Sequence, residues 1–368
     1  MPHSRVLHRA AALALASSLL PHPAAAAPER KLHFDYANLT ESSGLFSAFQ
    51  AAYVSAANTA GVTLTTYNNN ESGTTALTNA RLMVADHPDV IYDFNVVSGL
   101  GRSLGAIFTR AHIACIAINI AAPPCALENL DNPGMGASAA RIALAYMHAH
   151  NWTGADTTVL MLQNATAGNS VNIAVREFYS QVAAAVPGMT PMAPDAITAT
   201  TTTIGKSGYQ VNAGSDIDSA FTAVRQALET IPATRHLVLF AINDDLALGG
   251  WRAVVGERRT RQSIVIGLGG SAPALVQLRT NPQWIGEDMP FLQGWAEIGI
   301  AMGVAMAHGA TPPAVTYIPQ TVLTKANIAK YYGTSNTTPV LLSPLPAADA
   351  YLIHYGVLQK FHNIEGLQ

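Results

Sequence analysis

The residues whose types and order could bind a ligand are Asn243-Asp244-Asp245, which directly follow an apolar run from His236 to Ile242. The run predicts a buried strand, and the apolar spacing that starts at Leu246 predicts a helix. Ligands of open parallel sheets bind at the carboxyl ends of the strands, so the uncharged Asn243 amide is a candidate ligand-binding group. The alternative is an ordinary strand-to-helix turn in which these polar residues only cap the helix.

Motifs for covalent, phosphate or metal chemistry are weak or absent. No Gly-x-Ser-x-Gly turn occurs, and Gly205-Lys206-Ser207 lacks the first glycine of a phosphate-binding loop because Thr200 stands there. His148 and His150 do not have the spacing of a helical metal site. We therefore expect no catalytic residues, no metal and no cofactor.

The first 26 residues predict a secretory signal peptide. Arg5 and Arg9 precede the apolar stretch Ala10–Leu20, and Ala24-Ala25-Ala26 fits the small-residue cleavage pattern. The apolar stretch is shorter than the roughly 20 residues that span a bilayer. We therefore expect a signal peptide over 1–26 and export to the periplasm.

The two cysteines, Cys115 and Cys125, are ten residues apart. Export favours a disulfide between them, because bonds of this kind persist in oxidising compartments. The alternative is two free, buried thiols.

Composition narrows the function classes. The chain has 20 basic and 23 acidic residues, so its mildly acidic balance gives no basic surface for nucleic acid. Its 368 residues are too many for one ordinary core, so two lobes are expected.

Strands and helices alternate along most of the chain. The first predicted elements are a strand at Lys31–Tyr36 and an amphipathic helix at Leu45–Ala60, and a turn cluster at Leu130–Gly134 precedes a second alternating series. This order predicts an α/β fold with parallel sheets flanked by helices. Residues 187–214 remain unassigned, and the last 30 residues have a helical apolar pattern.

Four segments carry a resemblance to the type I periplasmic binding proteins, in particular the ribose-binding class of ABC-transporter receptors, whose fold the LacI-type repressor cores share. Phe240–Gly249 is similar to that family's Asn-Asp-x-x-Ala-x-Gly motif, and Ile264–Gly270 resembles its Val-x-Gly-Phe-Asp-Gly. Val159–Ser170 and Ile318–Asn327 resemble two further segments in the same order.

The resemblance implies two Rossmann-like lobes joined by three hinge crossings. It places lobe 1 at 27–131 plus 293–319 and lobe 2 at 132–292 plus 320–339, which leaves 340–368 as a C-terminal extension. The family binds a small ligand between the lobes and closes on it. Matching positions imply six ligand-binding residues in this chain, namely Ser43, Phe46, Asn119, Asn172, Asn243 and Gln293.

Several charged positions of the family differ here. Ile120 stands at a usual arginine position, and Gly269 at a usual aspartate position. Asp35 and Asp93, interpreted as the ends of the first and third strands, could supply the missing carboxylates, or could be helix caps or hinge contacts. Amides satisfy hydroxyl groups without burying an unpaired charge, so a neutral sugar or polyol is the expected ligand.

The resemblance thus implies a monomeric solute-binding protein that delivers its ligand intact to an ABC permease in the inner membrane. One alternative is a sensor that presents a signal molecule to a membrane receptor or histidine kinase. A secreted enzyme is a weaker alternative, because no nucleophile–base pair is found. A DNA-binding repressor is excluded by the signal peptide and the missing helix-turn-helix.

Overall fold

The apolar runs of the sequence form the central strands of two sheets in the computed structural model. The structure describes residues 30–42, 44–95, 97, 99–361 and 363–367. The predicted signal peptide lies outside the described residues. Within them, no helix is both long and apolar enough to cross a membrane.

The first sheet is entirely parallel, with strand order β12-β5-β4-β3-β1-β2, where β12 is Val315–Tyr317. Helices on both faces cover its apolar side chains. Its elements in chain order are β1 (His33–Asn38), α1 (Gly44–Ala60), β2 (Thr63–Asn68), α2 (Gly73–Asp86), β3 (Val90–Phe94), α3 (Gly101–Arg110), β4 (Ala114–Ile118) and β5 (Ala126–Asn129).

The second sheet has the order β13-β11-β10-β9-β6-β8-β7, with antiparallel strands at its two edges. Its elements in chain order are α4 (Asn132–Ala149), β6 (Thr157–Gln163), α5 (Asn169–Ala185), β7 (Thr203–Ile204), β8 (Gly208–Asn212), α6 (Ile217–Thr230), β9 (His236–Ala241), α7 (Asp244–Gly256), β10 (Ser263–Leu268), α8 (Ala272–Thr280) and β11 (Trp284–Met289).

The chain passes between the two sheets three times in the described residues. It crosses after β5, returns after β11 into α9 (Leu292–Ala307), which packs on α1, and crosses again from β12 (Val315–Tyr317) to β13 (Thr321–Leu323). Helix α10 (Ile328–Tyr332) then lies against the second sheet, where the Tyr332 hydroxyl donates to Met289 Sδ at 3.5 Å. The predicted α/β fold of two helix-flanked sheets is therefore confirmed.

Two regions differ from the sequence prediction. Residues 187–214, left unassigned, contain the β7–β8 hairpin, and β8 pairs with β6. The helical pattern predicted in the tail is wrong, because the chain there forms two short 3-10 helices, Ala347–Ile353 and Leu358–Lys360. Gly356 separates them at φ 68°, a left-handed conformation that ends helical continuation.

The tail packs across several elements. Val340 N–H donates to the Tyr331 carbonyl at 2.7 Å, and Lys330 pairs with Glu365 at 2.6 Å. Farther along, the Tyr351 hydroxyl lies 2.8 Å from the Thr316 hydroxyl of β12, and Lys360 Nζ donates to the carbonyl at the end of α1. The tail therefore contacts both α10 and the elements of the first sheet.

The core of the first sheet contains a buried acid. Glu128 of β5 is fully buried, and Tyr53 of α1 donates its hydroxyl to Glu128 Oε2 at 2.6 Å. Burial raises the pKa of Glu128 to about 8, although the donors Tyr53 and Trp295 partly oppose the shift. The carboxyl group is therefore mainly protonated at neutral pH.

Cys115 of β4 and Cys125, just before β5, form a disulfide, with their Cα atoms 4.9 Å apart. Of the two alternatives that the sequence left open, the structure has the bond. The bond links the second residue of β4 to the end of the loop that leads into the neighbouring strand β5.

Replacing both cysteines with serine is expected to lower the free energy of unfolding by about 2.5 kcal/mol, because the unfolded chain regains the freedom of a closed loop of about ten residues. Urea denaturation of the oxidised wild-type chain and the double variant measures the difference. Equal denaturation midpoints with equal slopes would contradict this expectation.

Candidate ligand-binding site

A cavity of about 480 Å³ lies at the carboxyl ends of β9 and β10. The start of α7 forms one side, and the loop after β10 forms another. The lining residues are Asn243, Asp244, Asp245, Leu268, Gly269, Gly270, Ser271, Ala272, Leu292, Asn336 and Thr337. The cavity thus has uncharged amides and hydroxyls beside two carboxylates.

Asn243 is positioned by the transition from β9 to α7. Its extended backbone makes it the N-cap of the helix, and its Oδ1 accepts the Leu246 N–H at 3.0 Å. The side chain is half-buried and lines the cavity. Because Oδ1 serves the cap, Nδ2 is the group that can donate to a ligand.

Asp244 holds the neighbouring loop in place. It is buried, and its Oδ2 accepts the Ser271 N–H at 2.6 Å. A side chain at Gly269 would meet that carboxylate, since a Cβ built there lies 3.0 Å from Asp244 Oδ2. Gly269 also has φ 136°, which favours glycine. The loop therefore has no space for the aspartate that the family places at this position.

Glu287 of β11 also holds the loop after β10 in place. It accepts the Gly270 N–H and the Trp284 indole N–H, each at 3.0 Å. Burial, and next the charge of Asp244, raises the pKa of Glu287 well above its usual range. Glu287 therefore holds its proton more strongly than a free glutamate does.

A buried amide–carboxylate group lies at the carboxyl ends of β2 and β3. Asn69 Nδ2 donates to Asp93 Oδ1 at 3.1 Å, and Asn79 Nδ2 donates to Asn69 Oδ1 at 3.0 Å. Asp93 is the penultimate residue of β3, is 2% exposed, and its Oδ2 has no hydrogen-bond partner. Burial raises the pKa of Asp93 to about 6.

Aromatic side chains gather at the same end of the first sheet. Phe46, near the start of α1, meets the ring of Phe94 edge-on at 5.4 Å between centroids. Phe49 and Trp295 extend the group, with centroids 5.0 Å apart. Phe46 is half-buried, whereas the other three rings are buried. Phe46 is therefore the ring of this group that has accessible surface.

Asn119 lies where β4 ends, with φ 67°, a left-handed conformation that asparagine tolerates. Its backbone N–H donates to the Glu128 carbonyl at 2.9 Å, and the residue is half-buried. Asn119 thus stands at the carboxyl edge of the first sheet, as do Phe46 and Asp93.

Asn172 makes only contacts within the second sheet's loop region. Its Nδ2 donates to the carbonyls of Asn164 and Gly168 at 2.6 and 2.8 Å, and its Oδ1 accepts the Asn164 N–H at 3.1 Å. It is 1% exposed. Because its polar atoms are all engaged in holding the loop before α5, a ligand contact would require this loop to open.

Asp35 does not end β1, so that part of the prediction is wrong. Strand β1 continues to Asn38, because it is paired on both sides and its register with β2 extends to Asn68. Asp35 is instead the third residue of the strand, 3.2 Å from His33 Nε2. Burial, and next the charge of Asp86, raises its pKa to about 7.

Two further predicted residues cannot be placed in the site. Ser43 lies outside the described residues, and Gln293 lies in α9 with a side chain that the structure does not describe. Both stay predictions from the resemblance.

Ser271, Leu292 and Asn336 also lie in the cavity wall, although they were not among the predicted site residues. Ser271 could have been found, because it follows two glycines after a strand and caps α8. Asn336 could not, because Arg279 holds its Oδ1 at 2.8 Å and this contact joins segments 57 residues apart.

Arg176 was also missed. It is 3% exposed, and a small cavity of about 160 Å³ is lined by it together with Asn169, Asn172, Asp195 and Thr198 among others. Its guanidinium donates to the amide oxygens of Asn169 and Gln163, while its Nε has no partner. A buried cation near the end of β6 is a group that could attract an anionic ligand.

No protein-family model matches the sequence, and no curated protein sequence matches it either. Several solved structures do match this chain in fold. An ABC transporter solute-binding protein from Mycobacterium smegmatis with bound glycerol is 17% identical, with a TM-score of 0.67 over 84% of this chain and 99% of that chain.

A periplasmic solute-binding protein from Actinobacillus succinogenes with bound D-allose is 15% identical, with a TM-score of 0.64 over 82% of this chain and 100% of that chain. The Caulobacter myo-inositol binding protein is 15% identical, with a TM-score of 0.63 over 81% and 95%. At these identities the likeness establishes a shared fold, that of the periplasmic binding proteins.

Proposed function

We propose that this chain, which has the fold of the ABC-transporter sugar-binding proteins, binds a neutral sugar or polyol between its two lobes and hands it intact to a permease. The observation that carries the proposal is the Asn243 amide, held at the cavity by the α7 cap with its Nδ2 available to donate. Similar structures from three organisms hold glycerol, D-allose and myo-inositol.

Binding would use facing groups from the two sheets. Asn243 and Ser271 would meet ligand hydroxyls from the second sheet, while Asn119 and Asp93 would meet them from the first. The accessible ring of Phe46 would pack against the C–H face of a sugar. We do not include Asp35 or Asn172 among the contacts, because the first lies away from this edge and the second is fully bonded.

Closure would occur about the three crossings. Asp131 caps α4 through the Gly134 N–H at 3.0 Å, and its carbonyl accepts from Gln320 Nε2 at 3.4 Å, so two crossings touch. We propose residues 27–131 with 293–319, and 132–292 with 320–339, as the two moving bodies. A ligand favours the closed form only by bonding more strongly to it than to the open form.

We propose the periplasm as the location, with a permease of the inner membrane as the partner and a monomeric chain as the working form. Support comes from the predicted signal peptide and from the class of the similar proteins. No step in this function breaks a covalent bond of the ligand, so the protein is expected to have no turnover.

A ligand screen tests the proposal. Glycerol, D-allose, D-ribose, L-arabinose and myo-inositol are compared with glucuronate, glucose 6-phosphate and amino acids by the shift in melting temperature. A neutral polyhydroxy compound at 100 times its Kd is expected to stabilise the folded chain by about 2.7 kcal/mol.

Calorimetry then gives the affinity, and chromatography of the released compound checks that it is unchanged. Binding of anionic compounds alone would contradict the proposal and would point to Arg176. A chemically altered compound on release would instead indicate an enzyme.

A further inference from the structure

Three metal-ligating side chains come together at the amino-terminal end of the first sheet, away from the candidate site. His33 begins β1, Asp35 follows two residues later on the same face, and Asp86 ends α2. His33 Nε2 lies 3.2 Å from Asp35 Oδ1 and 3.4 Å from Asp86 Oδ2. Selected donor atoms of all three lie within 4.8 Å of one another.

The burial of Asp35 is the second observation that points to a ligand. The residue is 0% exposed, and its carboxylate oxygens accept no hydrogen bond beyond the 3.2 Å contact of Oδ1 with His33 Nε2. Asp86, a second carboxylate, faces it. A buried carboxylate beside a second carboxylate is costly unless a cation or a proton compensates it.

We propose that His33, Asp35 and Asp86 bind a divalent transition-metal ion, with Zn²⁺ the best fit. Zn²⁺ bonds to histidine nitrogen and carboxylate oxygen at about 2.0–2.1 Å, so its tetrahedral ligands lie about 3.3–3.4 Å apart. The two distances from His33 Nε2 correspond to edges of such a tetrahedron. Ca²⁺ fits poorly, because it requires six to eight oxygen ligands.

The surroundings of the site support this assignment. The His33 side chain is 26% exposed and Asp86 42%, so an ion can reach the site from solvent and a water can complete the tetrahedron. The backbone of His33 is fixed in position, because its N–H donates to Asp89 Oδ2 at 2.8 Å. The hydroxyl of Thr65 lies 2.9 Å from His33 Nε2 and would move to the ion's water on binding.

Calorimetric titration of the untagged chain with Zn²⁺, Mn²⁺ and Ca²⁺ tests the proposal. We expect one Zn²⁺ per chain, weaker Mn²⁺ binding and no Ca²⁺ binding. Asp86→Asn and Asp35→Asn should each weaken Zn²⁺ binding by more than about tenfold, the loss that even outer groups cause at metal sites. Binding of Ca²⁺ in preference to Zn²⁺ would overturn the assignment.

The matched control is His148→Gln, which changes an exposed histidine of α4 that has another histidine two residues away. It should leave Zn²⁺ binding unchanged. If His148→Gln abolishes binding and Asp86→Asn does not, the ion binds elsewhere and the proposal fails.

A second readout separates a metal site from a purely structural role. Asp35→Asn replaces a carboxyl group buried beside the Asp86 carboxylate with a neutral amide, so without metal its melting temperature should be higher than that of the wild type by about 2 °C or more. Saturating Zn²⁺ should raise the melting temperature of the wild type but not that of the variant. A variant that melts lower without metal and still responds to Zn²⁺ would contradict the proposal.

Discussion

Asn243→Asp is expected to weaken the binding of the proposed sugar or polyol ligand by about 10- to 100-fold while leaving the fold intact. Aspartate has the same shape and its oxygen can still cap α7, as Asn243 Oδ1 does for the Leu246 N–H. The change removes the Nδ2 donor and brings a third carboxylate beside Asp244 and Asp245. Leaving a buried ligand hydroxyl without its hydrogen-bond donor lowers the binding free energy by about 1–3 kcal/mol. Calorimetry with the ligand from the screen measures the loss.

Asn243→Ala and Asn243→Ser separate the two roles of this residue. Alanine removes both cap and donor, so it should also lower the free energy of unfolding by about 1 kcal/mol. Serine keeps a cap and loses the amide donor, so it should bind weakly with near-normal stability. If serine and aspartate bind as tightly as the wild type, Asn243 is only a helix cap, which is the alternative that the sequence left open.

Glu128→Gln is expected to make the chain more stable than the wild type at pH 9, by a few kcal/mol, with a difference of less than about 1 kcal/mol at pH 5. The pKa of Glu128 is about 8 in the folded chain against 4.5 for the free side chain. The folded chain therefore keeps a proton that the unfolded chain releases. This contribution is complete below about pH 4.5 and is lost as the pH rises through 8, at about 1.4 kcal/mol per pH unit.

Denaturation at half-unit pH intervals from 5 to 9 measures this dependence. The wild-type curve should fall more steeply than that of Glu128→Gln, because only the wild type has Glu128. The curve of the variant should also fall, because burial raises the pKa values of Glu297 and Asp349 to about 7 in both proteins. Glu229→Gln, at an exposed position of α6, is the control and should follow the wild type. Parallel curves for wild type and Glu128→Gln would contradict the expectation.

The strands that the sequence predicted well are the continuously apolar ones. His236–Ala241 and Ser263–Leu268 are buried along almost their whole length, so local composition alone indicates them. Strand β11 was missed because it carries Glu287 and Asp288, which sequence reasoning assigns to the surface. Their burial depends on partners from distant segments, such as the Gly270 N–H for Glu287. No local pattern contains that information.

The candidate site could be predicted only where a strand end determines it. Asn243 was found because a strand ends and a helix begins around it, and the structure places it in a cavity wall. Asp35 was misplaced because β1 continues two residues beyond its predicted end at Tyr36, which leaves Asp35 away from the carboxyl edge of the sheet. Asn172 matches a ligand-binding position of the family, but its side chain is hydrogen-bonded within its own loop. Only the three-dimensional contacts reveal this.

The C-terminal tail has a mechanical consequence for any domain motion. It is attached to α10 near both of its ends, where Val340 contacts Tyr331 and Glu365 contacts Lys330, and between them to β12 and α1, through Tyr351 and Lys360. Rotation of one lobe against the other must therefore strain or shift this strap. If the two lobes move as proposed, we expect this strap to limit the angle of opening, so that shortening the chain from its C terminus would widen the range of the hinge.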